Sequence, residues 1–120
     1  LSDAEREALI ALMVPLGDCP VVDEKTIEAY ALISAMGPTY LWFQFRELER
    51  LGVEFGLTQE AAREAVAAMA HGAAATMYES DLSANGVMDL VPVKPLAGDE
   101  AALATIYRDR LTALFQKLTA

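Results

Sequence analysis

Ser34-Ala35-Met36-Gly37-Pro38-Thr39-Tyr40 joins two apolar helical patterns at a point that constrains how either can continue. Pro38 has no amide hydrogen and a fixed φ, so it fits the first turn of a new helix and breaks an old one. Gly37 allows a turn there without a Cβ clash. Small residues lie before the junction and Tyr40-Leu41-Trp42-Phe43 after it. Two backbones can therefore pack closely beside an aromatic wall.

The rest of the chain reads as helices on either side of that break. Ser2-Asp3-Ala4-Glu5 fits a capping box, followed by Ala8, Leu9, Leu12, Met13 and Leu16 at three- and four-residue steps, with Gly17 closing the helix. Asp18-Cys19-Pro20 turns, and Val21-Val22 is a short extended connector. Asp23 caps a second helix that carries Ile27, Tyr30, Ala31 and Ser34 along one face. A third helix runs from the junction to about Leu51, with Leu41, Phe45, Leu48 and Leu51 inward and Gly52 ending it. Arg46, Glu47, Glu49 and Arg50 face outward.

Thr58 caps a long helix from Gln59 to Ser80, with Ala65, Ala68, Gly72 and Ala75 on one side. A glycine mid-helix costs roughly 1 kcal/mol relative to alanine, and close approach of another helix at Gly72 would compensate. Ser83 to Leu90 holds at most a short helical turn, and Val91 to Gly98, with Pro92 and Pro95, is a loop. Asp99 caps a last helix bearing Leu103, Ile106, Tyr107, Leu111, Leu114, Phe115 and Leu118 in register. No strand signal competes, so the expected fold is all-α, with about five helices in one domain spanning residues 1–120.

At 120 residues, 54% of them hydrophobic, the chain is apolar for a small domain alone in water. Part of that surface is expected to be covered by a second copy. The net charge of −9 disfavours nucleic acid and anionic lipid. Many carboxylates, such as Asp3, Glu5, Glu24, Glu60, Asp99 and Glu100, stand where helices begin and complement the helix dipole. Cys19 is the only cysteine, so no internal disulfide forms. No apolar run reaches membrane-spanning length and no signal-peptide pattern is present. A cytoplasmic protein is expected.

Few chemistries remain. No glycines in this chain are spaced as a Gly-x-Gly-x-x-Gly turn, so a dinucleotide has no site of that kind. One His and one Cys cannot build a zinc site without several carboxylates, and no metal site is expected. His71 reads first as a packed or interfacial histidine and second as a general acid or base. Cys19 reads as a buried filler rather than a nucleophile. Tyr40, Trp42, Phe43 and Phe45 are either a ligand cage or a core and interface group. Ser34 either lines a site or bonds back to a helix carbonyl.

Taken in order, Asp23-Glu24-Lys25-Thr26, the 34–40 junction, Leu51-Gly52-Val53, Gly56-Leu57-Thr58 and the alanine-rich run to Met77-Tyr78-Glu79-Ser80 resemble the helical dimerisation domain of the pyrroline-5-carboxylate reductases. Family members typically read Ser-Gly-Ser-Gly-Pro-Ala-Tyr at the junction. Ser34, Gly37, Pro38 and Tyr40 match, while Ala35 and Met36 replace a glycine and a serine. A later family loop, Thr-Ser-Pro-Gly-Gly-Thr-Thr, holds the substrate carboxylate. Here Pro92-Val93-Lys94-Pro95-Leu96-Ala97-Gly98 stands in its place, about three residues shorter and without the hydroxyls and paired glycines.

The resemblance implies a reductase that uses NADPH or NADH to convert a cyclic imine to proline, with its Rossmann-type cofactor domain lying before Leu1. It implies an interlocked homodimer able to stack further, and a small-molecule substrate between the two domains. By the same resemblance Ser34, Gly37, Lys94, Ala97 and Gly98 shape the substrate pocket; the catalytic residues stay unassigned, and no cofactor-binding residue is expected in this chain. The alternatives are a non-catalytic helical association module and a related reductase with a different substrate.

Overall fold

In the computed structural model, which describes all 120 residues, the chain is entirely helical. Helix α1 spans Asp3–Met13 and tightens into a 3-10 turn at Val14–Leu16. A 3-10 turn at Glu24–Thr26 leads into α2, Ile27–Tyr30, which widens into a π-helical segment at Ala31–Ala35. Helix α3 is Gly37–Glu54, α4 is Gln59–Glu79, α5 is the short Ala84–Met88, and α6 is Glu100–Thr119. These are the five expected helices plus the short turn.

Side-chain caps begin several of them as the sequence indicated. The Ser2 hydroxyl accepts from the Glu5 amide while the Glu5 carboxylate accepts from the Ser2 amide at 2.7 Å, a complete capping box. Asp23 accepts from the Lys25 amide at 3.2 Å and Thr58 from Ala61 at 3.1 Å. A further cap, not singled out in the sequence, is Ser83, which accepts from Gly86 at 3.1 Å. Asp99 departs from expectation: it precedes α6, but its side chain makes no capping bond.

The junction is gentler than the sequence suggested. Met36 bridges α2 and α3 in a right-handed helical conformation, and its amide donates to the Ala31 carbonyl five residues back at 2.9 Å. The break at Pro38 is absorbed by this wide turn. Gly37 has no positive φ, and a Cβ there would meet open space, so no left-handed turn occurs at that glycine.

Helix α3 also runs on beyond its expected stop at Gly52. It ends instead in a Schellman motif centred on Gly56, whose φ is +106°. The Gly56 amide donates to Val53 and the Leu57 amide to Gly52, both at 3.0 Å. Gly52 serves packing: α4 crosses directly over it, and Ala62 is 1% exposed at the crossing.

That crossing and Leu32 are the whole of the buried interior, since only Leu32 and Ala62 fall among the buried residues. The Cα radius of gyration is 18.7 Å, against about 14 Å for a compact domain of this length. The accessible surface is 10040 Å², against roughly 6,300 Å² for a compact monomer of this mass. Ile33 and Phe43 are 69% and 66% exposed, and Leu41 and Leu48, expected inward, are each more than two-fifths exposed. The helices form an open arch, because one chain supplies too few layers to cover both sides of α3 and α4.

Other expectations change for the same reason. Cys19 is exposed and not a buried filler. The His71 residue is exposed and its ring makes no hydrogen bond within the chain, so no carbonyl satisfies it. Gly72 has no atom within 4 Å of where a Cβ would stand, so no helix of this chain approaches it.

Candidate functional site

Two separate concavities contain residues expected to shape a site. The first, about 550 Å³, lies where the junction meets α6. Gly37 and Pro38 form one edge, Leu41, Trp42 and Phe45 the wall, and Tyr107 and Leu111 of α6 the far side.

A hydrogen-bonded cluster braces this first concavity. The Tyr40 hydroxyl donates to the Leu32 carbonyl at 2.6 Å, tying α3 back across the π-helical segment. The Gln44 side-chain amide donates to the Tyr40 carbonyl at 2.7 Å and to the Tyr107 hydroxyl at 2.8 Å. The Tyr40 and Tyr107 rings meet edge to face, with centroids 6.0 Å apart and planes 86° apart. Tyr40 thus belongs to a structural clamp. Trp42, 64% exposed, and Phe43 are surface residues of this chain, leaving a cage or an interface as their open roles and removing the core.

Ser34 is exposed on the π-helical segment, and its hydroxyl bonds to no helix carbonyl. It lines neither concavity.

The second concavity, about 500 Å³, lies between α4 and the segment that follows α5. Met69, Gly72 and Met77 line one side and Val87 and Leu90 the other, with Lys94 and Glu100 at the edge. Lys94 is not a freely solvated lysine: its Nζ is 3.0 Å from the Asp89 carboxylate, and its side chain is about two-thirds covered. Asp89 itself is largely exposed, so an incoming carboxylate would compete with an existing ion pair.

Ala97 and Gly98 are exposed and line neither space. The Ala97 amide already donates to the Lys94 carbonyl at 3.1 Å and the Asp99 amide to Leu96 at 2.9 Å. With those amides committed to local turns and Pro92 and Pro95 lacking theirs, the loop offers few donors to an anion. Gly37 and Lys94 therefore stand in different concavities, and neither of the two brings the expected site residues together.

Gln44 and Tyr107 were not singled out from sequence as partners. They are 63 positions apart, and helical periodicity places Tyr107 only on the apolar face of α6.

No three His, Cys, Asp or Glu side chains converge as a metal site, and no helix is long and apolar enough to cross a membrane. The chain has no strand leading into a glycine-rich turn, so its own residues do not fit a dinucleotide pyrophosphate in the usual manner.

Comparison with known proteins gives this arch its context. The chain superimposes on a pyrroline carboxylate reductase of Plasmodium falciparum, solved with NADP bound, with a TM-score of 0.81 at 18% identity, covering 98% of this chain and 50% of that one. It also matches a pyrroline-5-carboxylate reductase from Coxiella burnetii, with a TM-score of 0.57 at 24% identity, covering 98% of this chain and 43% of that one. The chain thus spans half the length of these structures or less. No curated protein matches it. Residues 24–119 match the profile of the pyrroline-5-carboxylate reductase dimerisation domain, and the chain belongs to that family.

Proposed function

We propose that this chain is the dimerisation and substrate-side domain of an NAD(P)H-dependent reductase that acts on pyrroline-5-carboxylate or a related cyclic imine. The observation that carries this reading is the open arch itself. Its surface exceeds that of a compact monomer by about 3,700 Å², more than the roughly 1,000–2,500 Å² per partner of most obligate interfaces. There is area for a second copy and for a further domain.

Helix α1 supports the presence of a further domain. It lies before the matched segment 24–119 and buries no residue, and Leu12 within it and Leu16 in the 3-10 turn that follows are more than two-thirds exposed. A Rossmann-type domain carrying NADP or NAD would cover that face, and hydride chemistry would belong to it. The single cysteine and the acidic composition suit a cytoplasmic enzyme.

Within this chain, Ser34, Gly37, Lys94, Ala97 and Gly98 remain the proposed substrate-side residues. Because the junction and the Lys94 loop line different spaces, a common site would require each to come from a different copy of a homodimer. Lys94 would then meet the substrate carboxylate by exchanging it for Asp89. Stacking of dimers into a larger assembly is compatible with the remaining surface.

A second reading, a non-catalytic association module, is favoured by the 92–98 loop, whose donors are spent or missing. The deciding assay is NADPH-dependent reduction of pyrroline-5-carboxylate by the full-length protein. Turnover is expected; absence of both turnover and nucleotide binding would favour the association module.

A further inference from the structure

The strongest concentration of positive charge lies where α3 passes the start of α4, on the other side of the Trp42–Phe45 wall that the first concavity also uses. A notch of about 530 Å³ is bordered there by Arg46, Arg50 and Arg63, with Trp42 and Phe45 as its apolar wall. Three of the nine Lys and Arg residues of a chain with net charge −9 gather at this place.

The carboxylates nearby offset this charge only in part. Arg50 pairs with Glu47 at 2.9 Å, a bond exposed to solvent. Glu49, the one acid bordering the notch, accepts from the Gln59 side-chain amide. Arg46 and Arg63 have no ion-pair partner in the chain.

We infer that this notch binds a small multivalent oxyanion, a phosphate ester or polycarboxylate carrying an apolar or planar portion. Guanidinium groups present planar forks of donors that match phosphate and carboxylate oxygens in pairs. Two unpaired forks plus a shared third favour more than one anionic group. The exposed indole of Trp42 gives the uncharged part of such a molecule a flat surface. None of the proposed substrate residues borders the notch, which shares only Trp42 and Phe45 with the concavity that holds Gly37.

Trp42 is the only tryptophan and borders the notch, so its fluorescence reports binding there, and the arginine variants separate that signal from binding in the first concavity. The 120-residue chain is titrated with pyrophosphate and, separately, with citrate at low ionic strength. A saturable change in Trp42 emission is expected, weakening as salt is added. Arg46→Gln with Arg63→Gln should reduce affinity at least tenfold, while Arg6→Gln with Arg108→Gln, an equal charge change elsewhere, should alter it less than twofold.

A linear, non-saturating response, or equal losses in both double variants, would overturn the inference. Sedimentation on the same samples supplies a second check: anion binding should leave the oligomeric state unchanged. Dissociation by the anion would instead assign these arginines to acidic residues of a second copy and overturn it.

Discussion

Gly52 of α3 and Ala62 of α4 set the distance between the two longest-contacting helices: a Cβ at position 52 would stand 3.2 Å from the Ala62 Cβ and 3.4 Å from a Leu57 methyl. Ala62 is the most buried residue of the chain. A branched side chain at 52 must push α4 away. Gly52→Val is expected to cost about 1–3 kcal/mol, the usual range for overpacking, read as a lower urea midpoint at unchanged slope. An unaltered midpoint would show that the crossing is loose.

Tyr107 holds α6 to the junction through one hydroxyl, which receives the Gln44 amide proton at 2.8 Å. Tyr107→Phe keeps the edge-to-face ring contact and removes that acceptor. A loss of about 1 kcal/mol is expected, with faster amide exchange along α6. Tyr78→Phe, on a side chain 85% exposed, is the matched control and should change neither.

Glu5 has its carboxyl held below its ordinary value of 4.5 by the Ser2 backbone amide first and the Ser2 hydroxyl second. A carboxyl depressed in the folded state contributes fully above its unfolded value and loses that contribution as pH falls through the folded one. Helix α1 should therefore keep constant helicity near neutral pH and fray at its first turn as pH drops below about 4.5. Amide chemical shifts of residues 3–6 report this directly. Glu5→Gln should remove that local titration while leaving α3 and α4 unaffected.

Lys94 offers the test of the proposed substrate side. In the full-length protein, Lys94→Met is expected to raise KM for pyrroline-5-carboxylate about three- to tenfold, as for loss of a partly exposed charged hydrogen bond. Binding of NADPH, measured separately, should not change. An unchanged KM would remove Lys94 from the substrate pocket.

Helix positions and most caps were legible in sequence, because Ser2, Asp23 and Thr58 act on amides two or three residues away. Burial was not legible. Amphipathic periodicity marks Leu41 and Leu48 as inward without stating whose interior they enter, and in one chain that interior is half open. Glycine roles were exchanged for a related reason. A helix stop at Gly52 and a Schellman stop at Gly56 look alike as letters, and only the passage of α4 over Gly52 distinguishes them. The candidate site was legible as segments but not as a cavity, since Gly37 and Lys94 are placed by different helix pairs.

The most direct test of self-association through this exposed apolar surface is sedimentation equilibrium of the 120-residue chain at micromolar concentration. A mass twice the 12.9 kDa of the single chain, or a multiple of that dimer, is predicted. A monodisperse, folded 12.9 kDa species would contradict it.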